Sequence, residues 1–88
     1  MGKVAAVYNL IPESPEVPPE QVMKAVPTQV PQGVEVNNMV VKPFAFGLKI
    51  IEVTCIMDDT SGIIERLEEA LKGIPQVQSV DSVTITLI

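Results

Sequence analysis

The stretch LKIIEVTCIMDDTSGIIERLEEALKG, Leu48 to Gly73, changes its period halfway along. From Leu48 to Met57 the apolar residues alternate. Ile51, Val53, Cys55 and Met57 fall on one side of an extended chain and Glu52 and Thr54 on the other, as in a strand with one buried face. From Ile63 the spacing becomes three and four. Ile63, Ile64, Leu67, Leu71 and Ile74 line one stripe of a helix, with Glu65, Arg66, Glu68, Glu69 and Lys72 opposite. Glu68 and Lys72 stand four apart in the favourable order for a pair. The connecting run DDTSG, Asp58 to Gly62, supplies N-cap candidates and acidic charge for the helix start. Gly73 terminates the helix and Pro75 prevents its resumption.

The same two periods recur on either side. Lys3 to Ile11, KVAAVYNLI, reads as a largely buried strand stopped by Pro12. Pro12 to Glu20, PESPEVPPE, holds four prolines and reads as a connecting loop. A short helix opens at Pro19 with Glu20 in its first turn and Val22, Met23 and Val26 at helical spacing. Pro27 should end or kink it. VPQG, Val30 to Gly33, is a turn. VEVNNMVV, Val34 to Val41, alternates imperfectly, as a half-buried strand closed by Pro43. Its short separation from Leu48 predicts an antiparallel pair. At the other end VDSVTITLI, Val80 to Ile88, sets Val83, Ile85 and Leu87 against Ser82, Thr84 and Thr86, a strand with one apolar face.

The order is therefore β-α-β-β-α-β. Its symmetrical solution is an α+β, ferredoxin-like sandwich: four antiparallel strands with both helices on one face, joined by right-handed crossovers. Eighty-eight residues, 47% of them hydrophobic, fit a single domain over 1–88. One sheet face is left without helices. Leu48, Ile50 and Ile56 make it partly apolar, which invites a partner.

Composition removes several kinds of function. The net charge is −5 and the one arginine is Arg66, so the clustered basic footprint of a nucleic-acid binder is missing. There is no histidine, and Cys55 is the one cysteine. An intrachain disulfide, most transition-metal sites and His-dependent nucleophile pairs go with them. No cofactor is implied. MGKVAAVYNLIPESP is too short and too soon broken to be read as a signal peptide or membrane span, so the expectation is a cytoplasmic protein.

Few residues are left that suit chemistry. Asp58 and Asp59 are adjacent acids that bind a cation in some settings, but no further ligands stand at calcium-loop spacing, and a helix start also wants acids. Cys55 in an apolar strand register reads as an inert core thiol. Arg66 lies mid-helix, and the five glycines form no phosphate loop. No acid–base pair or nucleophile is identifiable, so an enzyme is not expected.

KPFAFGLK, Lys42 to Lys49, is different. It holds both phenylalanines of the chain. On an extended backbone Phe44 and Phe46 would leave the same face, either capping one end of the core or standing out as an anchor. Gly47 favours the second reading, because glycine at that point permits an unusual backbone angle or a close approach by another chain.

At Pro43-Phe44-Ala45-Phe46-Gly47-Leu48-Lys49, followed by a strand ending near Cys55 and then acids, the sequence resembles the elongation factor 1-beta family. PESPEV after the first strand and LEEALKGIPQVQSVD, Leu67 to Asp81, also resemble its small archaeal members. The resemblance covers essentially the whole chain and implies a ferredoxin-like fold. It also implies guanine-nucleotide exchange on elongation factor 1-alpha, the GTPase that delivers aminoacyl-tRNA. It carries Phe46 and Gly47 over as the partner-contacting aromatic and its glycine, with Phe44, Ala45 and Lys49 on the same surface. Leu87 stands where eukaryotic relatives carry a lysine directed at the magnesium and phosphate region. No basic residue follows Lys72. The alternative from another class is a ferredoxin-like interaction or regulatory module that self-associates without exchange activity.

Overall fold

The computed structural model describes residues 2–88. The elements are β1 (Lys3–Pro12), α1 (Pro19–Gln29), β2 (Val34–Pro43), β3 (Lys49–Asp58), α2 (Ile63–Lys72) and β4 (Val77–Leu87). The four strands form one antiparallel sheet in the order β2-β3-β1-β4. This is the α+β ferredoxin-like arrangement expected from the element order.

The alternation in β1 and β3 decides which face the helices cover. Val4, Ala6, Tyr8 and Leu10 of β1 pair across with Met57, Cys55, Val53 and Ile51 of β3, and all eight are buried. Val22 and Val26 of α1 and Ile63, Leu67 and Leu71 of α2 join them in one core. Truncating a leucine packed like Leu67 costs about 2–5 kcal/mol. Among the described residues Tyr8 is the one buried core side chain that ends in oxygen. Its hydroxyl donates to Glu68 Oε2 at 3.2 Å and ties β1 to α2.

Four local expectations are corrected or sharpened. Pro27 does not end α1, which runs on to Gln29. So near the helix end its missing N–H leaves only the Met23 carbonyl without an in-helix partner, and the Thr28 hydroxyl re-bonds the Ala25 carbonyl at 2.7 Å. No side chain of DDTSG caps α2. The N-cap is Gly62 at φ 80°, and the Ile63 N–H donates instead to the Thr60 carbonyl.

In β2 the register shifts between Val36 and Asn38, so Asn37 is a bulge. The extra residue resets the alternation, so that Val34, Val36, Met39 and Val41 all share the helix face. β4 shifts twice against β1: Tyr8 pairs with Ser82 but Val7 with Thr84, and Pro12 pairs with Val77 but Ile11 with Ser79. Val83 and Gln78 are therefore bulges, and β4 begins at Val77 rather than Val80. Ile85 and Leu87 keep the parity of Ala6 and Val4, but every residue from Asp81 to Ile88 is exposed. The expected apolar face of the last strand is present and is not buried.

Candidate partner-binding hairpin

The β2–β3 ladder runs two residues beyond the β1–β3 ladder. Its last ladder pair is Pro43 with Lys49, whereas β1 is paired with β3 only as far as Leu10 with Ile51. Beyond Lys49 the chain closes tightly. The Phe44 N–H donates to the Leu48 carbonyl at 2.8 Å, and the Leu48 N–H donates to the Ala45 carbonyl at 3.2 Å. Ala45, Phe46 and Gly47 make the short turn between them.

Two successive residues of this turn lie in the left-handed region, Phe46 at φ 61° and Gly47 at φ 78°. Gly47 fills the role expected of it. An added Cβ there would meet nothing within 4 Å, so the demand for glycine is conformational rather than steric. Phe46 was not expected in that region. A bulky side chain at positive φ is uncommon and costs on the order of 1 kcal/mol.

Nothing in the core offsets that cost, because Phe46 is 94% exposed. The turn also overturns the expectation that Phe44 and Phe46 leave one face of an extended chain. Phe44 is extended and half exposed, while Phe46 stands alone at the tip.

The tip has a basic base. Lys42 and Lys49 are two of the six basic residues of this acidic chain. Strand alternation sends Lys49 to the helix face and Lys42 to the open face, where Lys42 Nζ lies 2.9 Å from Glu52 Oε2. That pair is too exposed to add more than about 1 kcal/mol of stability. Lys42 was not singled out from sequence; its neighbourhood to the motif was the only available signal.

Leu87 is elsewhere. It pairs with Val4, which in turn pairs with Met57, at the far end of the sheet. Met57 and Lys49 are eight residues apart along β3, so Leu87 and the hairpin base are separated by roughly 26 Å. The hairpin groups Phe44, Ala45, Phe46, Gly47 and Lys49, and Leu87 is not among them. The element order already implied this: β2 and β4 run in opposite directions, so the turn after β2 and the end of β4 lie at opposite ends.

Other candidates have ordinary settings. Cys55 is wholly buried, and that burial pushes its thiol up to about 11. Asp58 and Asp59 line a cleft of about 360 Å³ with Gly2 and Thr60, at the Leu87 end. Among the described residues no group of three or more His, Cys, Asp or Glu is placed to hold a metal ion. No helix is long and apolar enough to cross a membrane.

A family model described as the EF-1 guanine nucleotide exchange domain matches residues 5–88. The chain belongs to the elongation factor 1-beta family. It is 36% identical over 81 residues to elongation factor 1-beta of Methanothermobacter thermautotrophicus, covering 92% of this chain and 91% of that one. With the Haloarcula marismortui protein of the same name it shares 38% over 80 residues, 91% of each chain. With that of Methanoregula boonei it shares 31% over 87 residues, 99% of each.

Among solved structures, the C-terminal domain of the MgtC protein from Mycobacterium tuberculosis superposes with a TM-score of 0.64. The match covers 99% of this chain and 88% of that one at 15% identity, a likeness of fold alone. Elongation factor 1-beta membership thus rests on sequence along nearly the whole chain. The exchange domain's own geometry is that of a ferredoxin-like sheet with one aromatic-tipped hairpin.

Proposed function

We propose that this chain promotes exchange of GDP for GTP on elongation factor 1-alpha, with Phe46 as its principal anchor. The observation that carries the reading is the tip itself: a phenylalanine 94% exposed and held at φ 61°, where its ring adds nothing to the core. Phe44 and Ala45 flank it, Gly47 sets the turn, and Lys49 lends positive charge at its base.

Exchange requires no covalent chemistry from the factor. A protein that binds the nucleotide-free GTPase more tightly than the loaded form must weaken the nucleotide by the same factor. Phe46 inserted against the element that holds the GTPase's magnesium would displace that element. Loss of the ion would then leave the nucleotide phosphates without charge compensation. Leu87 supports the contact only if the GTPase surface spans the roughly 26 Å between the two ends of this sheet. The site of action is the cytoplasm, where translation takes place.

The test is release of a fluorescent GDP analogue from elongation factor 1-alpha, chased with unlabelled GDP. Acceleration by the native chain that is lost in a folded Phe46→Ala protein supports the reading. Equal acceleration by both proteins removes Phe46 from the mechanism, and basal release with both removes exchange.

A further inference from the structure

The two outer strands of the sheet, β2 and β4, are protected very unequally. β2 carries Glu35, Lys42, Pro43 and a bulge at Asn37, the usual devices that stop an edge from pairing with another chain. β4 has Asp81 as its single charge, and its own bulges, at Gln78 and Val83, both lie before Thr84 and leave the last residues regular. From Ser82 to Ile88 the run SVTITLI has no charge and no proline, and it is rich in β-branched residues. Val83, Ile85, Leu87 and Ile88 are 49%, 46%, 68% and 73% exposed.

The hydrogen-bond pattern shows which groups are free. The Ile88 N–H donates to the Lys3 carbonyl at 2.8 Å. Hydrogen-bonded and non-bonded pairs alternate along an antiparallel ladder. With Val4 opposite Leu87 and Ala6 opposite Ile85, residues 84, 86 and 88 direct their backbone groups toward β1. Ile85 and Leu87 therefore direct their N–H and C=O groups outward, away from the sheet. These are strong donors and acceptors on an apolar strip, and they form a template for one more strand.

We infer that a second copy of this chain supplies that strand, through antiparallel β4–β4 pairing about a two-fold axis at Ile85. In that register the free backbone groups of Ile85 meet those of its symmetry mate, and Leu87 faces the bulged Val83 of the other copy. The choice of a second copy follows from charge. At net −5 per chain, contact through most faces sets acids against acids; the exposed side of α2 alone carries Glu65, Glu68 and Glu69. The β4 strip is uncharged and self-complementary. The Ile85 axis keeps the two Asp81 carboxylates roughly 27 Å apart along the ribbon.

One edge covers less than the roughly 1,600 Å² of a standard interface, so the dimer is weak and depends on concentration. It tightens as salt screens the acidic bodies, the reverse of a charge-driven contact. Both Phe46 tips point outward and remain free, whereas Leu87 is covered. The inference does not depend on exchange activity.

Sedimentation equilibrium from micromolar to millimolar protein tests it. The expected mass rises from the 9.5 kDa monomer toward twice that value, and rises further with added salt. Ile85→Pro removes a donor that faces outward and leaves the β1 ladder intact, so it is expected to stay monomeric with unchanged circular dichroism. Thr86→Pro removes a donor that faces β1 and should destabilise the fold. Should Ile85→Pro fail to fold, Ile85→Lys places two like charges on the axis and is expected to stay monomeric. A native chain that remains 9.5 kDa at millimolar concentration overturns the inference. A dimer that a folded Ile85 variant leaves unaffected also overturns it.

Discussion

Phe46 and Gly47 are consecutive residues in the left-handed region of the backbone, and only the second is of a type suited to it. The strain at Phe46 therefore belongs to the choice of side chain, not to the turn. Phe46→Gly should fold at least as stably as the native chain, because it removes the strain while exposing no core. Its exchange activity should fall at least about 30-fold, the loss of roughly 2 kcal/mol that marks an anchor residue. Thermal unfolding and nucleotide release on the same preparation check both parts. A drop in stability alongside activity would show that the ring holds the hairpin together.

Gly47→Val tests the turn rather than the ring. At φ 78° a β-branched side chain is strained even in open space, and the cost should be about 1–2 kcal/mol. Exchange should weaken through misplacement of Phe46, with a smaller effect than removing the ring. Circular dichroism melts separate the two substitutions: Gly47→Val lowers the midpoint and Phe46→Gly does not.

β3 and α2 could be read almost residue by residue, because Ile51, Val53, Cys55 and Met57 keep one face and Ile63 to Ile74 keep helical spacing. The bulges could not be read. Asn37 and Val83 each insert one residue that the ladder skips, and a period of two offers no sign of where a skip falls. The start of α2 misled for a related reason. Asp58 to Ser61 are side-chain capping types, yet the Thr60 carbonyl satisfies the first helical N–H. At the hairpin, the glycine announced one left-handed residue and its neighbour shared the conformation unannounced.

Tyr8→Phe deletes the single polar link between β1 and α2. The Glu68 carboxylate is only half buried and can turn to water, so the loss should be about 1 kcal/mol. Urea unfolding of the two proteins measures it. Exchange should be unchanged, since Tyr8 is buried under the helices and far from the hairpin tip.

Alkaline pH should unfold the protein earlier than its exposed charges alone would. Burial raises the Cys55 thiol from 9.0 to about 11, and it raises the Tyr8 hydroxyl too, with the Glu68 carboxylate adding to the effect. Both groups are neutral when protonated, and both hold their protons more tightly in the folded state. The thiol's contribution is complete below pH 9 and is lost as pH rises through about 11, and the tyrosine hydroxyl's is lost at higher pH still. Cys55→Ser would leave a buried hydroxyl, so Cys55→Ala is the better comparison, and its stability should fall less steeply above pH 9. The native thiol should also resist alkylation at pH 8 until denaturant is added. Rapid labelling of the folded chain would contradict the burial.

Phe46 and Leu87 should act independently. They lie at opposite ends of the sheet, Phe46 beyond a hairpin base that is itself roughly 26 Å from Leu87, far outside the 7–10 Å within which substitutions usually couple. Phe46→Ala, Leu87→Ala and the double substitution close a cycle in exchange rates at low factor concentration. The logarithmic effects should add within about 0.5 kcal/mol. A larger interaction energy would mean that the GTPase reads both ends through one cooperative rearrangement of its own. A null effect of Leu87→Ala, with the full loss from Phe46→Ala, would leave the hairpin as the whole of the exchange surface and the β4 edge free for pairing with a second copy.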